Sequence, residues 1–158
     1  EKKMINNSIA GEWFTPHVIE PAFGIDRIIW HILDHAYEEI EKEGEKYNLL
    51  KLKESVAPAD VIILPLFEKD GMGVEARKLN SQINQMKGVK CLIDSSKSIG
   101  RRYARADEIG VPWAITVDHQ TLDDGTVTVR RRDDQKQIRT DINQLLSLIN
   151  SNMVSTLF

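Results

Sequence analysis

The chain has one cysteine in 158 residues, Cys91, which rules out an internal disulfide. Its place in the apolar run "VKCLI" predicts a buried, reduced thiol. No apolar run approaches the roughly 18 residues that a membrane-spanning helix needs, so no membrane partner is expected. The opening stretch "EKKMINNSIAGEW" lacks the apolar core of a secretion signal, and the chain reads as cytoplasmic. Gly71 and Gly73 in "KDGMG" have neither the spacing nor the lysine of a phosphate loop; a turn before a helix accounts for them. No glycine-rich turn follows "DVIILPL", which argues against a Rossmann-type nucleotide enzyme. No Ser-His-Asp or Cys-His arrangement can be assembled with any specificity. His31 and His35 have metal-compatible spacing, but no third ligand is evident nearby, so no metal is expected.

What is present is an ordinary globular composition, 41% hydrophobic and 28% charged. The length allows one domain, or one small domain with part of another. A formal net charge of −3 argues against bulk attraction to nucleic acid but not against a local basic patch. The charge is uneven: acids crowd "EEIEKEGEK" at 38–46, whereas cations crowd 97–105 and 130–139.

Two segments are read, with a boundary near Ser55. The first (1–55) has a short strand candidate around His17–Ile19. A helix follows, with Ile25, Ile28, Ile29, Ile32, Leu33, Ala36 and Ile40 on one stripe, ending near Gly44. One strand and one helix cannot bury both faces of either, so this segment reads as the tail of a larger domain. The second (56–158) alternates strand and helix. Strands are expected at 60–67, 89–94, 112–118 and 126–132. Helices are expected at 74–86, at 99–109 capped by Ser98 and stopped by Gly110, and from Gln135 on. Asp124-Gly125 signals a hairpin between the last two strands. The fold class is therefore α/β, with a mixed, mostly parallel sheet flanked by helices.

The run "DSSKSIGRRYARADEIG" begins where a parallel strand ends, a place where such sheets commonly hold ligands. It offers Lys97, Arg101, Arg102 and Arg105 to an anion. The alternative is a solvated face paired with Asp107 and Glu108. In "RRRDDQKQIR", Arg130 and Arg132 share one strand face; they could extend that basic surface, or only neutralise Asp133 and Asp134. In "PHVIEPAFGIDR", Glu20 and Arg27 could grip an ammonium and a phosphate, or simply pair with each other.

At these residues the sequence resembles the C-terminal part of the glycyl-tRNA synthetases of the archaeal and eukaryotic kind. "PHVIEPAFGIDR" looks like the end of a class II catalytic domain, whose third motif ends in an arginine. "VAPADVIILPL", "DSSKSIGRRYARADEIGVPWAITVD" and "VRRRDDQKQIRTDI" look like the anticodon-binding domain that follows. The likeness covers roughly 16–149, in order. It implies that 1–55 is the incomplete end of the catalytic domain and that 56–158 is an anticodon-binding domain with a five-stranded-type sheet. Glu20 would receive the ammonium of glycine and Arg27 would touch the ATP phosphates. Lys97, Arg101, Arg102, Arg105, Arg130 and Arg132 would face tRNA(Gly). The parent enzyme would use ATP with magnesium to join glycine to that tRNA as a homodimer. The piece by itself is expected to be inactive and to hold no cofactor. Where the family reads Glu-Pro-Ser, this chain has Glu20-Pro21-Ala22, which leaves out a hydroxyl near the glycine. A synthetase-like domain repurposed as an accessory subunit, like that of the mitochondrial DNA polymerase, is the alternative.

Overall fold

The computed structural model describes residues 5–6, 13–42 and 44–158, in two compact units divided between Trp30 and His31. Residues 1–4 and 7–12, most of the stretch without a signal core, lie outside the described residues.

In the first unit, β1 (Ile5–Asn6) pairs antiparallel with β2 (Trp13–Phe14). No strand forms at His17–Ile19; Val18 and Ile19 are 71% and 92% exposed, with no sheet neighbour to cover them. Helix α1 (Ile25–Ala36) has the expected stripe, and most of that stripe faces solvent.

The helix also stops sooner than its apolar spacing predicts. Ile40 belongs instead to β3 (Tyr37–Lys42), which pairs antiparallel with β4 (Glu45–Leu50) around Gly44, at φ +81°. Acids that would crowd the negative end of a helix instead gain cross-strand partners. Lys46 reaches Glu39 at 2.8 Å, and Lys51 reaches Glu38 at 2.6 Å.

The second unit is built on a sheet in the order β6-β5-β7-β8-β9. Strand β5 (Val61–Pro65) is a continuous apolar run because both of its faces are covered. After it come α2 (Met72–Asn84), β6 (Cys91–Ile93), α3 (Ile99–Glu108) and β7 (Trp113–Val117). β5 pairs parallel with β6 and β7, as strand–helix–strand units require. The expected tight hairpin instead holds a short helix, α4 (His119–Asp124). Asp118 and Thr121 close its capping box, and Gly125, at φ +70°, ends it. Strand β8 (Thr126–Arg131) then returns antiparallel to β7. Residues expected to begin the last helix form β9 (Gln137–Asp141), and α5 (Ile142–Asn150) starts only after Asp141 caps it. On an edge strand, alternation alone turns Ile138 and Thr140 towards the Val127–Val129 face.

One face of the sheet packs against α2 and α5 through Ile63, Met72, Leu79, Ile83, Ile115, Val127 and Leu145, each essentially fully buried. Such side chains contribute about 1.5–3 kcal/mol apiece relative to exposure. The other face packs against α3 through Ile62, Leu64, Ala106, Val111 and Ala114. Beyond them the hairpin docks at the end of α3. Gly110, at φ +82°, permits this: a Cβ there would lie 2.9 Å from Leu52 Cδ1 and 3.1 Å from the Leu50 carbonyl oxygen. Cys91 is buried, and burial pushes its thiol up to about 12. No helix among the described residues is long and apolar enough to cross a membrane.

Candidate nucleic-acid interface

The C-terminal ends of β5, β6 and β7 all meet one edge of the sheet, because these strands run parallel. The loops that leave them bring together Phe67, Glu68, Lys69, Lys97, Arg101 and His119, all exposed. The Phe67 and His119 rings lie 6.2 Å apart at 47°, an open aromatic pair. Lys97 and Arg101 have no ion-pair partner among the described residues. The start of α3 adds backbone amides: Ser98 stands at its N-cap without a side-chain bond.

The loops are held from beneath. Asp94 Oδ1 accepts from the Ser96 amide at 2.9 Å and from its hydroxyl at 2.8 Å, while Arg105 Nε donates to Asp94 Oδ2 at 3.0 Å. Partial burial pushes the Asp94 carboxyl up, but the Arg105 and Ser96 bonds prevail and hold it below the usual range. Arg77 reaches Glu68 at 2.9 Å; that bond, with one from Ser95, lowers the Glu68 carboxyl. On the third loop, Arg139 donates to both Asp118 oxygens at 2.8 Å and holds that carboxyl at about 2.

Of the six cations expected at RNA, two stand free at this edge, Lys97 and Arg101. Arg105 reaches the surface but its fork is engaged by Asp94 and the Ser96 carbonyl. Three are inside. Arg102 is 4% exposed and donates to backbone carbonyls of Pro65, Leu66 and Lys97. Arg130, also 4% exposed, grips Asp107 with two bonds of 2.9 and 2.8 Å, stacks over the Tyr103 ring at 4.8 Å, and shares Asp107 with the Tyr47 hydroxyl. Arg132, 3% exposed, donates to the Gly110 and Leu52 carbonyls at 2.8 and 2.7 Å. The expectation that Arg102, Arg130 and Arg132 face RNA is therefore corrected. Their donors are spent on the protein: those of Arg130 and Arg132 beneath the hairpin and the residues after it, those of Arg102 on the end of β5 and the Lys97 loop.

Glu20 and Arg27 are exposed and do not pair with each other; Arg27 is in the first turn of α1, and Glu20 is outside any regular element. His31 and His35 stack at 6.3 Å, and no cluster among the described residues could hold a metal. A cleft of about 270 Å³ at the opposite edge is lined by Asp60, Lys87, Trp113 and Asn152 among others. Its polar groups are already engaged in part, for the Lys90 amide donates to Asp60 at 2.7 Å.

Phe67 and His119 are the surface residues that sequence reasoning passed over. Each lies two residues past the end of a strand, in "DVIILPLF" and "PWAITVDH", so the strand-end rule that selected Lys97 points to them as well.

Residues 60–152 match the family described as the anticodon binding domain. Over 153 residues, 97% of this chain, the sequence is 46% identical to the glycine–tRNA ligase of Methanothrix thermoacetophila and 45% identical to that of Methanocaldococcus jannaschii. The chain spans about a quarter of the length of these relatives, 26% in both cases. A crystal structure of the RNA binding domain of threonyl-tRNA synthetase from Cryptosporidium parvum superposes with a TM-score of 0.54 at 21% identity, covering 60% of this chain and 23% of that one. That likeness is one of fold.

Proposed function

Because the chain belongs to the anticodon binding domain family, we propose that its α/β unit grips the anticodon arm of tRNA(Gly) at the edge formed by the ends of β5, β6 and β7. The observation that carries this reading is the meeting of an open aromatic pair, Phe67 and His119, with two unpaired cations, Lys97 and Arg101. Bases splayed from a single-stranded loop stack on exposed rings, and phosphates take charge-assisted bonds from lysine and arginine. Arg101 can present a planar fork to one phosphate, whereas Lys97 supplies a point charge. Arg105 contributes at most its exposed flank.

The wider reading is of a glycine–tRNA ligase, a cytoplasmic homodimer that forms glycyl-adenylate from glycine and ATP. In it, residues 1–55 close the catalytic domain, Glu20 receives the glycine ammonium and Arg27 the ATP phosphates. Here both side chains are exposed. In this reading ATP and magnesium belong to the longer protein, and tRNA binding to this chain. The relatives' names do not favour the accessory-subunit alternative.

The test is binding of a tRNA(Gly) transcript to the chain across about 50–200 mM salt, where each phosphate contact steepens the fall in affinity. We expect weak binding with a negative slope, and a preference for the intact anticodon. Equal affinity for a transcript with a substituted anticodon would contradict the reading.

A further inference from the structure

The binding edge is made of separate loops, and a buried residue joins two of them. Arg102 is in the first part of α3, yet its guanidinium makes no ion pair among the described residues. Every hydrogen bond of its side chain goes to a backbone carbonyl. Nε and Nη2 donate to the Lys97 carbonyl at 3.3 and 3.0 Å, Nη1 donates to the Pro65 carbonyl, and Nη2 reaches the Leu66 carbonyl at 3.5 Å. One end of this bridge is the loop that carries Lys97; the other is the chain that leads directly into Phe67. Lys97 itself is in the left-handed region, at φ 64°, which costs energy for a residue with a side chain unless its surroundings hold it there. Two bonds to its carbonyl oxygen do so.

Glu68 feels the Arg102 charge through space but does not contact it, and a buried charge without a contacting carboxylate is an expensive way to brace a fold. The geometry points to Arg102 as a positioning residue for RNA recognition. Its planar fork fixes the spacing between the aromatic that stacks on a base and the cation that meets a phosphate. Lysine could reach one of these carbonyls but could not span both loops with fixed directions. Arg102 touches no RNA itself.

This inference rests on the anticodon-binding reading, and the experiment separates the two. The full chain and its Arg102→Lys variant are titrated with a tRNA(Gly) transcript and with the same transcript carrying a substituted anticodon. Melting temperature and salt slope are recorded alongside. Stacking by itself tolerates any base, so in the parent chain discrimination on the order of tenfold is expected from edge contacts that the positioned loops make to the stacked base. In Arg102→Lys that ratio collapses towards one while the salt slope stays the same, because the charge remains and no phosphate contact is lost. A folded Arg102→Lys chain that still discriminates like the parent would overturn the positioning role. A parent chain that fails to discriminate overturns the anticodon reading, and the inference with it. Should the variant not fold, backbone relaxation of the parent chain decides: residues 66–69 and 95–97 are expected to be as rigid as β5 in the absence of RNA. Independent motion of the two loops there would refute the bridge.

Discussion

Residues 101–105 and 130–132 carry three arginines each, and the two runs reach opposite ends. On α3, helical spacing spreads Arg101, Arg102 and Arg105 around the axis, so Arg101 meets solvent, Arg102 turns beneath the loops and Arg105 braces Asp94. On β8 and the residue after it, alternation puts Arg130 and Arg132 on one face, where the hairpin covers both, and leaves Arg131 on the other, over the Phe158 ring at 4.7 Å. What separates them is which carbonyls and carboxylates each geometry brings within reach. Arginine density alone does not mark a nucleic-acid surface; the arginines that remain without partners do.

The sharpest way to break that contrast is Asp107→Ala. It leaves Arg130 buried and uncompensated, so urea unfolding is expected to show a loss of about 3–5 kcal/mol. A loss below about 1 kcal/mol would mean that Arg130 is solvated after all. Next comes Gly110→Ala, which forces a Cβ into the Leu52 contact at positive φ, with an expected cost of about 2 kcal/mol by the same assay. On the outer side, Phe67→Ala should weaken tRNA binding by about 1–3 kcal/mol with the salt slope unchanged. Arg101→Ala should reduce the salt slope by about one and leave stability within about 0.5 kcal/mol. The smallest effect is a pH effect. The Asp118 carboxyl sits at about 2, below its ordinary 3.8, because Arg139 bonds its charged form. Its contribution is complete above the ordinary value and is lost as pH falls through about 2, so Asp118→Asn should flatten the acid limb of the stability curve in that window.

Most of the α/β order is legible because β5, β6 and β7 are short apolar runs that glycines and loops punctuate. Gly110 marks the end of α3 in sequence and in structure alike. Three elements are not legible, each for a physical reason. β9 has one large apolar residue, Ile138, and its strand form depends on the neighbouring β8. The β3–β4 hairpin is hidden under a helical repeat of isoleucines that extends to Ile40, and cross-strand pairing outweighs that repeat. α4 is one short turn of helix whose capping box is visible only once Asp118 and Thr121 are known to meet. For the site, Lys97 and Arg101 are legible from their place after a strand. The inward fate of Arg130 is not, because its partner Asp107 is shared with Tyr47, 60 residues away in sequence.

The division between inner and outer arginines is most directly tested by phenylglyoxal modification of the folded chain, read by peptide mass spectrometry with and without a tRNA(Gly) transcript. The account predicts that Arg101 reacts readily in the free chain and is protected by the transcript, while Arg102, Arg130 and Arg132 stay unmodified in both states. Rapid modification of Arg130 or Arg132 in the folded chain, or an Arg101 that tRNA leaves unprotected, would contradict it.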